Sequence, residues 1–229
     1  MGQKGLKAIV FDFNGTLFFD ADLQEEAWRR FFRDYAGREV TYEELQEHMH
    51  GRNAAVTFKY FLGRDFSREE VDLLVEKKEV HYRALCHSTG RVTLAEGVPA
   101  FLDYLKDKGI PIAIATASPK GNVDFYFETF SLDRWFGRKD IIYDDGSFRG
   151  KPEPDIYLKA IGHLGLSPEE VTVFEDASSG ITSAVRAGAG RVIGVSSMLS
   201  EDTLLSLGAD SVIRGYGDSP EKLFDLALL

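Results

Sequence analysis

The strongest constraint on the fold is a regular alternation of short apolar segments with helical patterns, which runs from Val92 to the end of the chain. The apolar segments cover residues 111–116, 141–143, 171–174, 192–195 and 211–213, and an earlier one covers 8–11. Amphipathic periodicity predicts helices at 98–107, 122–130, 155–164, 180–187, 203–207 and 220–228. Apolar runs of this kind are typical of strands buried on both faces, and the intervening helices provide right-handed crossovers. We therefore predict an α/β fold with a doubly wound, Rossmann-like parallel sheet.

The segment between the first strand and Val92 has a helical period throughout. One face of its first predicted helix carries Leu23, Ala27, Phe31, Phe32 and Tyr35. The same period predicts further helices at 42–49, 54–62 and 68–86. We predict an all-helical domain at 19–92, inserted into an α/β core that consists of 1–18 and 93–229.

Composition and charge exclude several classes of partner. The chain has 27 basic and 37 acidic residues, and a net charge of −10 leaves no basic face for nucleic-acid phosphates. It contains no apolar run of membrane-spanning length and no signal-peptide pattern. Cys86 is the single cysteine, so we expect a reducing compartment and an inert, apolar role for its thiol. We expect a cytoplasmic protein, a monomer or weak oligomer, with no membrane or nucleic-acid partner.

Polar clusters follow four of the predicted strands. They are Asp12-Phe13-Asn14, Thr116-Ala117-Ser118, Gly150-Lys151-Pro152 and Glu175-Asp176. Open parallel sheets bind ligands at the carboxyl ends of their strands, so we expect these side chains to share one edge of the sheet. Carboxylates for Mg²⁺, with hydroxyl and ammonium groups for phosphate oxygens, are the groups that phosphoryl transfer requires.

These clusters, together with Gly15-Thr16 after the first one, resemble the four motifs of the haloacid dehalogenase-like superfamily. The helical insertion resembles the cap, of the C1 type, of its β-phosphoglucomutase and phosphoglycolate phosphatase group. Lys151-Pro152-Glu153-Pro154-Asp155 is characteristic of that group. The resemblance covers nearly the whole chain and implies a phosphoric monoester hydrolase with a small phosphorylated metabolite as its substrate.

Carried over to this chain, the resemblance implies a nucleophile and a metal site. Asp12 would form an aspartyl-phosphate and also bind Mg²⁺. Asn14 would offer its backbone carbonyl to the metal, and Asp176, helped by Glu175, would complete a site rich in carboxylates.

The resemblance also implies the groups that hold the phosphate. Thr116, with backbone N–H groups at Ala117 and Ser118 near a helix start, would bind the phosphate oxygens. Lys151 would offset the charge between the nucleophile and the transferred phosphoryl group.

Asn14 departs from the family pattern, because phosphatases and mutases of the family have an Asp there as general acid and base. An amide can position a leaving group but cannot protonate it, and general acid–base catalysis contributes ~10²–10⁴-fold. Four interpretations stay open: a slow phosphatase with another proton donor, a phosphatase for good leaving groups, a binding or regulatory protein, or an introduced Asp→Asn change. Asn14-Gly15 is also a deamidation-prone pair, and deamidation would create the missing Asp.

Substrate choice is expected to depend on the cap. Mutases of the group carry a His where this chain has Gln24, which disfavours a mutase. Arg52, in the loop His48-Met49-His50-Gly51-Arg52, is predicted to contact the substrate, with a solvated loop residue as the alternative. Lys78 matches a lysine that meets the substrate in the mutases, and a solvated helix face is an equally good interpretation.

We therefore predict a Mg²⁺-dependent phosphatase that hydrolyses a small phosphomonoester, such as a sugar phosphate, through an aspartyl-phosphate on Asp12. The alternatives are a phosphosugar mutase of the β-phosphoglucomutase type and a non-catalytic protein that binds a phosphorylated metabolite. A dehalogenase is disfavoured, since Glu175-Asp176 indicates a metal site that such chemistry does not need.

Overall fold

The computed structural model describes residues 5–49, 54–90 and 92–229. The chain divides into two compact units: a core made of Met1–Phe19 with Thr93–Leu229, and a cap made of Asp20–Val92. The division predicted from the sequence assigns 1–18 and 93–229 to the core and 19–92 to the inserted domain.

The core is built on a six-stranded parallel sheet in the order β3-β2-β1-β4-β5-β6. The strands are β1 Ala8–Phe11, β2 Ile112–Thr116, β3 Ile141–Tyr143, β4 Val171–Glu175, β5 Arg191–Val195 and β6 Ser211–Ile213. Phe11 of β1 lies opposite Ile114 on one side and opposite Phe174 on the other. This is the order of a doubly wound sheet, so the predicted fold class is confirmed.

The predicted helices of the core are present, with ends that differ by two residues or fewer. They are α5 Val98–Asp107, α6 Lys120–Thr129, α7 Asp155–His163, α8 Ser178–Ala187, α9 Glu201–Ser206 and α10 Pro220–Leu228. The helices α6, α8 and α9 each begin two residues before the predicted start, because their first turns are mostly polar and carry little apolar period. The structure adds 3₁₀ turns at Leu132–Arg134, Arg138–Asp140 and Pro168–Glu170, which the periodicity did not predict.

Both faces of the sheet are buried, because consecutive side chains of a strand point to opposite sides. All four residues of β1 are fully buried. Ala8 and Val10 belong to an apolar cluster with residues of α7 and α8. Phe11 instead packs on the rings of Phe101 in α5 and Phe174 in β4, with centroids 6.3 and 5.1 Å away. Burial on both sides explains why β1 reads as a continuous apolar run.

The cap contains the four predicted helices, α1 Ala21–Ala36, α2 Tyr42–His48, α3 Ala54–Leu62 and α4 Arg68–Thr89. Capping boxes start α2 at Thr41 and α4 at Ser67. Most of the predicted apolar face of α1 is buried, but Tyr35 is 47% exposed and stacks on Phe31 at the edge of the cluster. None of the helices among the described residues is long and apolar enough to cross a membrane.

Cys86 of α4 is fully buried, and burial raises the pKa of its thiol to about 11. Because the thiolate is the reactive form, the thiol is inert at neutral pH, as the sequence predicts. We expect the folded protein not to react with Ellman's reagent at neutral pH, and one thiol to react after unfolding in urea. Labelling of the folded protein at the rate of the unfolded one would show that Cys86 is accessible.

Glu170 links the 3₁₀ turn before β4 to the residue that precedes β1. Its carboxylate accepts hydrogen bonds from Lys7 Nζ at 2.7 Å and from the amide and hydroxyl of Ser167 at 3.1 and 2.8 Å. The Lys7 bond, followed by the Ser167 bonds, lowers the pKa of Glu170 from 4.5 to about 2.

We expect Glu170→Gln to unfold at a lower urea concentration than the parent at neutral pH. A carboxyl group whose pKa is lower in the native state than in the unfolded state stabilises the fold at pH values above its unfolded-state pKa. The difference should shrink as the pH falls from 4.5 towards 2, where the native carboxylate also becomes protonated. Glu169→Gln, at an exposed neighbour, is the matched control. A difference that stays constant over this pH range would show that the lowered pKa contributes nothing to stability.

Candidate active site

Asp12 directly follows β1, at the carboxyl edge of the sheet. Its amide donates to the Phe174 carbonyl at 2.9 Å, which fixes its backbone to β4. The residue is 6% exposed, and Lys151 Nζ donates to its Oδ1 at 2.6 Å. The structure thus brings together two of the predicted catalytic residues that are 139 positions apart in the sequence.

Lys151 connects Asp12 to Glu175. Its Nζ donates to Glu175 Oε1 at 2.7 Å and to the Ala115 carbonyl at 3.3 Å. Tyr157 OH donates to the same Glu175 oxygen at 3.2 Å. Burial alone would lower the pKa of Lys151, but the charges of the two carboxylates outweigh it and hold that pKa well above its ordinary value. The ammonium therefore stays charged at neutral pH.

Asp176 is a third buried carboxylate in this pocket. Thr16 Oγ1 donates to its Oδ1 at 3.2 Å. Burial, followed by the charges of Glu175 and Asp12, raises the pKa of Asp176 well above its usual range. Three carboxylates face one ammonium, so the pocket has an excess of negative charge that a divalent cation would balance.

The donor set fits Mg²⁺, which prefers carboxylate and carbonyl oxygens and keeps several waters. The roles of Asp12, Asp176 and the Asn14 carbonyl as its ligands stay predictions. Glu175 is directed at Lys151, and its Oε2 accepts from the Ala177 amide at 2.7 Å. Accordingly, no three His, Cys, Asp or Glu side chains among the described residues form a ready-made metal cluster. The role of Glu175 as a metal ligand stays a prediction.

Two glycines let the backbone approach these carboxylates. Gly15 has φ +78°, and a Cβ there would lie 2.0 Å from Asp176 Oδ2. Gly180 is in the first turn of α8, where a Cβ would lie 1.5 Å from Glu175 Oε1. A larger residue at either position would displace a carboxylate of the site.

Asn14 is held by hydroxyl groups from the other side of the pocket. Its Oδ1 accepts from Ser118 Oγ at 2.8 Å, and its Nδ2 donates to Tyr126 OH at 3.0 Å. Asn122 Nδ2 also donates to Tyr126 OH, at 3.4 Å. The ring of Tyr126 stacks on Phe13, with centroids 4.4 Å apart. The side chain that departs from the family pattern thus has a defined hydrogen-bonded environment.

The predicted phosphate-binding residues lie between β2 and α6. Thr116 is the last residue of β2, and its Oγ1 accepts a hydrogen bond from the Ser118 amide at 3.1 Å. Ala117 is exposed and Ser118 half-buried, and α6 begins at Lys120. The phosphate roles of Thr116, Ala117 and Ser118 stay predictions.

In the cap, Lys78 is buried, so a solvated helix face is the wrong description of it. Its Nζ lies 2.6 Å from Glu79 Oε1 and donates to Gln24 Oε1 at 2.7 Å. Gln24 Nε2 in turn donates to Asp20 Oδ2 at 3.1 Å. Arg52 lies outside the described residues, and its role and that of Lys78 in substrate binding stay predictions.

Sequence reasoning missed several residues of the site, namely Asn122, Tyr126, Tyr157 and Tyr216. Tyr216 OH is buried without a hydrogen-bond partner among the described residues. Burial, then the charges of Asp176 and Asp12, raises the pKa of Tyr216 well above its ordinary value. A buried aromatic residue has the same apolar pattern whether or not its hydroxyl serves a site, so no signal in one sequence distinguishes these tyrosines.

The comparison with protein families identifies the class to which this fold and site belong. The model of the haloacid dehalogenase-like hydrolases matches residues 6–188. The chain therefore belongs to this family and is a hydrolase.

Individual relatives place it further within the family. A phosphorylated carbohydrates phosphatase from Thermotoga maritima is 29% identical over 96% of this chain and 98% of the relative. A β-phosphoglucomutase from Bacillus subtilis is 26% identical over 93% of this chain and 91% of the relative. The crystal structure of a HAD hydrolase of family IA, variant 3, from Entamoeba histolytica has a TM-score of 0.89 and 35% identity, covering 96% of this chain and 99% of that one. The predicted resemblance to the β-phosphoglucomutase group is confirmed.

The Asn14-Gly15 pair is restrained in the fold. Deamidation requires the Gly15 amide nitrogen to attack the Asn14 side chain, but that amide donates to the Phe18 carbonyl at 2.7 Å. We expect deamidation of the folded protein at mildly alkaline pH to be at least ~10-fold slower than in urea, because it requires local opening. Intact-mass spectra over time measure both rates. Equal rates would restore deamidation as the source of an Asp at this position.

Proposed function

We propose that this hydrolase is a Mg²⁺-dependent phosphatase of a small phosphomonoester, with a phosphorylated sugar as its substrate. The observation that supports this most is the buried Asp12 carboxylate, which Lys151 holds at 2.6 Å beside Asp176. The similarity to a phosphatase of phosphorylated carbohydrates in Thermotoga maritima supports the class of substrate.

In the proposed reaction, a carboxylate oxygen of Asp12 attacks the phosphorus atom and the bond to the leaving oxygen breaks. Lys151 keeps Asp12 oriented, and its charge offsets the repulsion between the nucleophile and the phosphoryl oxygens. Thr116 and the amides of Ala117 and Ser118 bind the remaining phosphate oxygens. Water then cleaves the aspartyl-phosphate, which returns the Asp12 carboxylate and releases phosphate.

Mg²⁺ is the cofactor that the excess of carboxylates favours, with Asp12, Asp176 and the Asn14 carbonyl as its protein ligands. When bound, it would neutralise charge on the phosphoryl oxygens and on the pocket itself. Every other part of the proposed chemistry depends on side chains and backbone amides of the core.

A non-catalytic protein that binds a phosphorylated metabolite is the second candidate, and Asn14 favours it. An amide at this position cannot protonate a leaving group, and its side chain is already held by Ser118 and Tyr126. Mg²⁺-dependent ligand binding without release of phosphate would support this candidate. Gln24 and Asn14 both disfavour a phosphosugar mutase.

We expect Asp12→Asn to abolish Mg²⁺-dependent release of phosphate from an aryl phosphate and from a panel of sugar phosphates, because an amide cannot act as the nucleophile. The substitution is nearly isosteric, and circular dichroism would show that the fold is kept. Asp133→Asn, at an exposed position of the core, is the control and should match the parent. Substantial phosphate release by Asp12→Asn would exclude the covalent mechanism.

A further inference from the structure

Asn14, Ser118 and Tyr126 form a closed ring of hydrogen-bond contacts, which we call the Asn14 network. Tyr126 OH accepts from two amides, Asn14 Nδ2 at 3.0 Å and Asn122 Nδ2 at 3.4 Å. Ser118 Oγ donates its proton to Asn14 Oδ1 at 2.8 Å, and the Ser118 and Tyr126 hydroxyl oxygens lie 3.3 Å apart. The Tyr126 OH also donates to Asn14 Oδ1 at 3.4 Å, so the Ser118 hydroxyl and the Asn14 carbonyl oxygen share its proton.

The Asn14 network matches an amide at position 14, which has a donor on one side and an acceptor on the other. A carboxylate would have acceptors on both sides, so its second oxygen, in place of Asn14 Nδ2, would need the Tyr126 proton as its hydrogen-bond donor. The pocket therefore suits Asn14 as it stands.

Asn14 and Ser118 are half-buried, whereas the groups that hold them on the Tyr126 side are fully buried. Tyr126 and Asn122 are 2% and 1% exposed, and Phe13 lies flat against the Tyr126 ring at an interplanar angle of 21°. Buried polar networks in which every member has a partner fix a single arrangement of their side chains. Asn14 is thus a preorganised group that offers hydrogen bonds in place of a proton.

Building on the phosphatase function proposed above, we infer that Asn14 is an integral part of the site and that the substrates are phosphates whose leaving oxygen is weakly basic. Acyl, enol and anomeric phosphates are of this class. As the bond from Asp12 to phosphorus forms, the leaving oxygen takes the electron pair of the breaking bond and departs as a weakly basic anion. It takes its proton from water, and a second water cleaves the aspartyl-phosphate.

The test compares the rates of phosphate release by the parent and by Asn14→Asp. The substrates are a series of aryl phosphates with increasingly basic leaving groups, followed by an alkyl phosphate. Acetyl phosphate, which has a weakly basic leaving group, is the reference. Comparing two enzymes on the same substrate cancels most differences in binding. We expect the parent rate to fall steeply along the series. We expect Asn14→Asp to gain up to ~10²-fold more on the alkyl phosphate than on acetyl phosphate, because hydrolysis of the aspartyl-phosphate is common to both and only the alkyl leaving group needs an acid.

A gain that is uniform along the series, or a parent that cleaves the alkyl phosphate as fast as acetyl phosphate, would overturn the inference. If neither protein releases phosphate from any member of the series with Mg²⁺ present, the proposed phosphatase function is wrong.

Tyr126→Phe tests the Asn14 network itself, since it keeps the packing on Phe13 and removes the acceptor of the Asn14 amide. As a positioning residue, Tyr126 should affect the slope of the series, so that the variant loses several-fold more on poor leaving groups than on acetyl phosphate. An equal loss on all substrates would indicate a merely structural role, and no loss would exclude the Asn14 network from the reaction. Tyr104→Phe, on α5 with its ring against Phe224, is the matched control.

Discussion

The bond from Lys151 to Asp12 and Glu175 is the interaction on which the active site depends. One buried ammonium compensates two carboxylates that burial would otherwise make costly, and removing one partner of such a group typically costs about 3–5 kcal/mol. The same bond presents Asp12 as an ionised nucleophile in the proposed reaction. Stability of the core and readiness for chemistry therefore depend on the same contacts.

The order of the strands explains why these groups meet. In this sheet the chain runs outwards from β1 in two directions, so the carboxyl ends of β1 and β4 border the switch point where ligands of doubly wound folds bind. Asp12 follows β1, Glu175 ends β4, and Asp176 comes next. Gly15 and Gly180 then allow the backbone to close on the carboxylates without a side chain in the way.

Family membership defines the scaffold and the class of enzyme, but one fold supports many chemistries, and the function must be argued from the site. Here the site differs from the family pattern at one position, and the structure gives that position its own set of partners. Seen beside Ser118, Asn122 and Tyr126, Asn14 is one member of a polar network rather than an isolated loss of a carboxylate. The dependence of the rate of phosphate release on the leaving group is then the property to measure.

The sequence by itself determined the strands and helices, the inserted cap and the four polar clusters, because each depends on periodicity or on the residues next to a strand end. It also identified Asp12 and Lys151 as candidates, although not their contact. Only the tertiary structure revealed the ring of hydrogen bonds formed by Asn14, Ser118 and Tyr126, the Tyr157 bond to Glu175 and the burial of Lys78. These depend on residues up to 112 positions apart, and local patterns contain no information on which distant side chains a packed core brings within hydrogen-bond distance.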